Sequence, residues 1–200
     1  MRLTTNNAQE HECWGTIVGK RHIITAAQCV IGDVDEVLLM LGSTNIGSSF
    51  PLRLTLRPKD IRIHPDYHRD GHSLPINDIA VIVLDISIPL KTYPHIKPAC
   101  LPKTGVTSED FVGKTGTVTG WGNTKKAKGK TWPLQEVELS VLGNCGKWKT
   151  EKPETFFCAG VSNGRKSSCH GDSGGPLVVN DPKNNNAMTL MGVVSFGVSS

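Results

Sequence analysis

The sequence predicts an all-β protein, a sandwich or a barrel, on three observations. Short apolar runs rich in Val, Ile and Leu recur along the whole chain. Turn-forming residues punctuate them at intervals of about ten residues, and 21 glycines and 12 prolines supply those turns. No segment sustains the 3.6-residue period of an amphipathic helix.

The elements read in order as follows. GTIVGKRHIITAA (15–27) gives a strand, a basic turn and a second strand. EVLLMLGS (36–43) is an apolar run ending in turn residues, and LTLRPKDIRIHP (54–65) alternates. DIAVIVLDI (78–86) reads as a buried strand from its β-branched run. TGTVTGWG (115–122), LQEVELSVL (134–142), GPLVV (175–179) and MTLMGVVSFG (188–197) continue the series. GNCGKWKTEKPE (143–154) has room for a short helix that Pro153 would stop. DPKNNNA (181–187) is a polar turn between strands, and NTKKAKGK (123–130) a basic loop, either merely solvated or a surface for an acidic partner.

Composition narrows the function. Twenty-two basic residues against 18 acidic leave a net charge of +4, with no aromatic-flanked basic patch that would suggest nucleic acid. No apolar run approaches the ~20 residues of a membrane span, and MRLTTNNAQEHECW has no apolar core of a signal peptide. The six cysteines, at 13, 29, 100, 145, 158 and 169, form no C-x-x-C pair and have no H-x-x-x-H companion, which argues against zinc. Their wide spacing suits disulfides in a secreted protein. A secreted protein without a visible signal peptide leads to the expectation that the chain is incomplete at its start.

Chemistry concentrates in CHGDSGGPLVV, Cys169 to Val179. Ser173 stands between an aspartate and two glycines, and glycines at 171, 174 and 175 allow a tight turn with converging backbone N–H groups. An exposed hydroxyl with donors aimed at a developing oxyanion is what a nucleophilic serine needs. A glycine-rich turn with an incidental serine accounts for G-D-S-G alone, but not for the whole string.

That string resembles the nucleophile loop of the trypsin/chymotrypsin family of serine proteases. ITAAQCV (24–30) resembles the family's histidine segment and NDIAVIVL (77–84) its aspartate segment; PACLP (98–102), VTGWG (118–122) and FCAG (157–160) match further landmarks in order. The resemblance implies two antiparallel Greek-key β-barrels, chymotrypsin-like and incomplete at both ends. They would form a single domain over 1–200, barrel one about 5–103 and barrel two about 104–200, with the site between them. It implies Ser173 as nucleophile and Asp78 as triad acid. The N–H groups of Gly171 and Ser173 would form the oxyanion hole. Ser167 would sit at the base of a specificity pocket, neutral and therefore non-tryptic, and Ser195, Phe196 and Gly197 would form the strand that pairs with substrate. Cys13 would pair with Cys29 and Cys145 with Cys158. No metal or cofactor is implied. The expected partner is a protein or peptide, the expected state a monomer, and the expected location extracellular.

Three departures from the family stand out. Gln28 occupies the position of the base, and a carboxamide donates and accepts hydrogen bonds but cannot carry a proton. Geometrically it could still bridge Asp78 and Ser173. Of the histidines, His72 is the better stand-in and His22 the next; His11 matches a family histidine beside the site, and His64, His68, His95 and His170 read as surface or loop residues. Second, the activation segment is expected to be absent: TIVGK (16–20) would lie within the barrel, so Asp172 is expected to lack its cation and its loop to be zymogen-like. Third, the chain stops soon after Gly197, leaving Cys169 and Cys100 without family partners. Trp14, where the family usually has glycine, adds a packing question beneath the site. Three readings stay open: a chymotrypsin-like endopeptidase, a non-catalytic homologue acting as a binding scaffold, and a partial or degraded gene product.

Overall fold

The computed structural model describes residues 2–5, 13–32, 34, 37–47, 52–56, 58–124, 127–130, 132–146, 153–161, 171–181 and 184–197. Its strands in the first half are β1 (Arg2–Thr5), β2 (Cys13–Trp14), β3 (Thr16–Ile17), β4 (His22–Thr25), β5 (Val37–Leu41), β6 (Leu52–Leu56), β7 (Pro58–Ile63), β8 (His68–Arg69), β9 (Pro75–Ile76) and β10 (Ala80–Leu84). The second half holds β11 (Thr115–Gly120), β12 (Asn123–Thr124), β13 (Ala127–Lys130), β14 (Gln135–Leu142), β15 (Cys158–Gly160), β16 (Pro176–Asp181) and β17 (Ala187–Val193). Short 3-10 segments interrupt them, among them Ala27–Cys29, Ser108–Phe111 and Pro153–Thr155.

Among the described residues every strand ladder is antiparallel. Two four-stranded sheets, in the orders β2-β1-β5-β6 and β3-β4-β10-β7, build the first half; one five-stranded sheet, β15-β14-β11-β16-β17, builds the second. Each half has its own apolar cluster. The first gathers Ile23, Leu39, Leu41, Ile82, Leu84 and Ile88, all nearly solvent-free. The second gathers Phe111, Val118, Leu139, Val141, Leu177 and Val179. Strand period decides which side chains go in. In β10, Ala80, Ile82 and Leu84 are buried while Val81 and Val83 are half-buried, so the run is a central strand with two unequal faces rather than one buried throughout.

Local reading failed where tertiary pairing made the element. Arg2–Thr5 carries no strand signature, yet pairs with both Cys13–Trp14 and Val37–Met40. The basic segment 123–130 is a hairpin, with Asn123 opposite Lys130 and Thr124 opposite Ala127, rather than an open loop. Pro153 opens a 3-10 turn rather than closing a helix; its ring fixes φ and removes a donor that a first turn does not use. Residues 143–146 are not helical, and 147–152 lie outside the described residues. The polar turn 181–187 does join two strands, with Asn185 and Asn186 in the left-handed region.

Candidate functional site

The site is built where the two halves meet. Strand β4 delivers the buried Thr25, and the 3-10 turn Ala27–Cys29 follows at once, placing Gln28 at its centre. A disulfide from Cys29 to Cys13, with Cα atoms 6.0 Å apart, ties that turn to β2. Asp78 precedes β10, which pairs directly with β4. The same ladder that forms the core therefore sets Asp78 beside Gln28.

Gln28 grips Asp78 at two points. Its backbone N–H donates to Asp78 Oδ1 at 2.9 Å, and its side-chain Nε2 donates to Oδ2 at 2.8 Å. The same Nε2 donates to the carbonyl oxygen of Ser195 at 2.6 Å. Both acceptors lack hydrogens, so the Gln28 atom between them must be the nitrogen, and both of its hydrogens are committed. Ser195 Oγ completes the cluster, donating to Asp78 Oδ2 at 2.5 Å. The carboxylate thus receives three hydrogen bonds, and Gln28 links the first half to the second through Ser195. The bridge expected from Gln28 to Ser173 is corrected: among the described residues no hydrogen bond joins them, because the amide hydrogens go to Asp78 and Ser195. What Gln28 has left is a carbonyl oxygen.

Ser173 stands on a turn between Gly171, at φ 96°, and Gly174, at φ 80°. These are left-handed backbone values that glycine adopts without penalty. Gly174 also has no room for a side chain: a Cβ there would lie 2.2 Å from the carbonyl oxygen of Trp14 and 2.4 Å from Thr25 Oγ1. Gly175 N–H donates to Asp172 O at 2.9 Å and Gly174 N–H to Val194 O at 2.8 Å. No acceptor meets the N–H groups of Gly171 and Ser173 among the described residues. Asp172 is 8% exposed, and its Oδ1 accepts the Gly122 N–H at 2.9 Å. Gly120 and Gly122 leave space for that carboxylate, since a Cβ on either would fall within 2.6 Å of Oδ1.

Phe196 is half-buried and meets Phe156 edge-on at 5.8 Å, while Gly197 is exposed. A cavity of ≈ 870 Å³ runs from Asp78 past Phe156 and Phe196 to the inner side chains Leu139, Leu177 and Leu190. Of the candidate stand-in bases, His22 and His72 are exposed, and among the described residues neither is hydrogen-bonded to Asp78 or Ser173. His64 lines the cavity with Asp78, but its Nδ1 accepts the Asp66 N–H. His68 and His95 are exposed. Ser167, Cys169, His11 and His170 lie outside the described residues. Cys145 is joined to Cys158, and Cys100 is an exposed free thiol. Among the described residues no group of three His, Cys, Asp or Glu side chains is placed to hold a metal ion.

Sequence reasoning missed two features. Tyr67 lies close enough to Asp78 for the carboxylate to act on it: burial first, then that negative charge, raise the phenol above its ordinary value, while Arg69 opposes both. Trp14 was noticed only as a packing problem, yet its indole N–H donates to Gly171 O, directly on the serine turn. Nothing in C-W-G signals this contact, because the partner is 157 residues away in sequence.

Antiparallel sheets in two halves, with a serine turn and a hydrogen-bonded aspartate between them, make this a chymotrypsin-like β fold. The chain belongs to the trypsin family: the family model "Trypsin" matches residues 1–200. It is 33% identical over 199 residues to Serine protease filzig of Drosophila melanogaster, covering 94% of this chain and 11% of that protein. It is 32% identical to Venom protease of Bombus pensylvanicus, covering 94% of this chain and 76% of that protein. To Proclotting enzyme of Tachypleus tridentatus it is 30% identical, covering 93% and 52%. It thus spans a small part of the first, most of the second and about half of the third. No described helix is long and apolar enough to cross a membrane.

Proposed function

We propose that this chain is a catalytically impaired serine protease homologue, secreted, which holds a protein or peptide in its cleft without cleaving it efficiently. In this reading Ser173 keeps the place of the nucleophile, Gly171 and Ser173 offer their N–H groups to a substrate carbonyl, and Asp78 is the triad acid without a histidine to orient. Ser195, Phe196 and Gly197 line the peptide's path, and Ser167 makes the pocket non-tryptic. One observation carries it: Gln28 commits both amide hydrogens to Asp78 and Ser195. Its remaining carbonyl oxygen can accept a hydrogen bond from a serine hydroxyl but cannot take and return the proton. In a subtilisin, loss of the base costs on the order of 10⁶ in kcat. The N–H groups of Gly171 and Ser173, which meet no acceptor among the described residues, favour a second reading, an active chymotrypsin-like serine endopeptidase of which this chain is a fragment.

The test compares peptide hydrolysis by this chain and by Gln28→His, alongside labelling of Ser173 by a fluorophosphonate. A large gain in hydrolysis for the histidine variant, with slow labelling of the parent, supports impairment. Equal, robust hydrolysis by both would establish the second reading instead.

A further inference from the structure

We infer that Trp14 is the positioning residue of the serine turn: its indole and its backbone together fix the Gly171–Asp172 and Ser173–Gly174 peptide planes. The inference rests on the reading above, in which the N–H groups of that turn receive a peptide carbonyl.

Trp14 is 2% exposed and reaches the turn at two points. Its indole N–H donates to the carbonyl oxygen of Gly171. Its backbone N–H donates to the carbonyl oxygen of Ser173 at 2.8 Å. A peptide unit is planar, so holding a carbonyl oxygen also aims the following N–H. The two bonds therefore orient the units Gly171–Asp172 and Ser173–Gly174. Between them the Asp172–Ser173 unit is held by Gly175 N–H on Asp172 O, which turns the Ser173 N–H the opposite way, where no acceptor meets it.

Trp14 is in turn held on its own side. Its ring stacks on Trp121 at 4.5 Å and 32°, and Trp121 donates to Thr44 O at 3.3 Å. Its carbonyl accepts Thr25 Oγ1 at 2.7 Å, and the Cys13–Cys29 disulfide anchors the preceding residue. The need for such a clamp follows from Gly171, whose left-handed backbone has no intrinsic preference to stay there. A glycine at position 14 would supply the backbone bond alone; the indole adds a second, so Trp14 constrains the turn rather than only filling space beneath it.

Two measurements test this on the full chain. The first uses the protein as it stands. The Trp14 indole N–H should exchange with solvent far more slowly than that of Trp132, which is 64% exposed. Equally fast exchange of the two would overturn the inference. The second uses Trp14→Phe, which keeps a ring against Trp121 and removes only the donor. Amides of residues 171–175 should exchange about tenfold faster than in the parent, while those of β4 and β10 stay unchanged. In the Gln28→His background the same change should lower kcat by about tenfold, one hydrogen bond's worth, at steady KM. Unaltered exchange in the turn would sink the clamp. Faster exchange in a Gln28→His protein that hydrolyses nothing would leave the clamp standing and show instead that the missing base is not what impairs catalysis.

Discussion

Gln28 and Asp78 are joined twice, backbone N–H to Oδ1 at 2.9 Å and side-chain Nε2 to Oδ2 at 2.8 Å. In the proposed reading, a carboxamide thus binds the aspartate from a position where a titrating ring would serve as base. Replacing it with histidine should raise peptide hydrolysis by several orders of magnitude, bounded by the ~10⁶ that loss of a base costs elsewhere. The gain should depend on pH. An imidazole acts as base only when neutral, so the variant's rate should climb as pH rises through the ordinary histidine range near 6.5. The parent should show no step there. A pH–rate profile of both proteins checks it.

Ser195 Oγ donates to Asp78 Oδ2 at 2.5 Å from the other half of the fold. Ser195→Ala removes one of three donors to a carboxylate, a charge-assisted bond. The expected loss is about 1.5–3 kcal/mol of stability, read as a lower midpoint in thermal or urea unfolding. An unchanged midpoint would show that water replaces the hydroxyl.

Two glycines in the same backbone region should respond unequally to alanine. Gly174, at φ 80°, has no space for a Cβ, whereas Gly113, at φ 79°, has nothing within 4 Å of one. Gly113→Ala should cost about 1–2 kcal/mol, the left-handed penalty alone. Gly174→Ala adds overpacking of about 1–3 kcal/mol, and it should displace Trp14 or Thr25. Denaturant midpoints for the pair separate strain from clash.

The disulfide between Cys13 and Cys29 closes a loop with sequence separation 16. Its removal as the paired serine variant should destabilise by about 3 kcal/mol from loop entropy. It should also loosen the Ala27–Cys29 turn, so amide protection at Gln28 should fall more than in β10.

Tyr67 should make stability fall at alkaline pH. Its hydroxyl is buried, and burial followed by the charge of Asp78, opposed by Arg69, raises its folded-state pKa above the unfolded value of 10.0. The folded protein therefore holds this proton more tightly. The stability so gained is fully present below pH 10 and is lost as pH rises through the higher folded value. Tyr67→Phe should remove that share of the alkaline loss and leave stability at neutral pH little changed. Unfolding free energies measured from pH 8 to 11 decide it.

The sequence by itself determined the all-β class, the order of most strands, and the strings on which Gln28, Asp78 and Ser173 stand. Period-2 apolar runs and turn residues act locally, so DIAVIVL and TGTVTG reveal strands without knowledge of their partners. The strings around Gln28, Asp78 and Ser173 are each short enough to be read in place. Tertiary structure decided what those residues do to one another. Arg2–Thr5 became a strand because Leu39 and Cys13 pair with it, not from any propensity of its own. Gln28 turned its amide to Asp78 and Ser195 rather than to Ser173, and Trp14 found Gly171, across sequence separations of 50, 167 and 157. A hydrogen bond needs a donor and an acceptor aligned to within tenths of an ångström, and only the folded arrangement of the two sheets brings such distant groups to that distance.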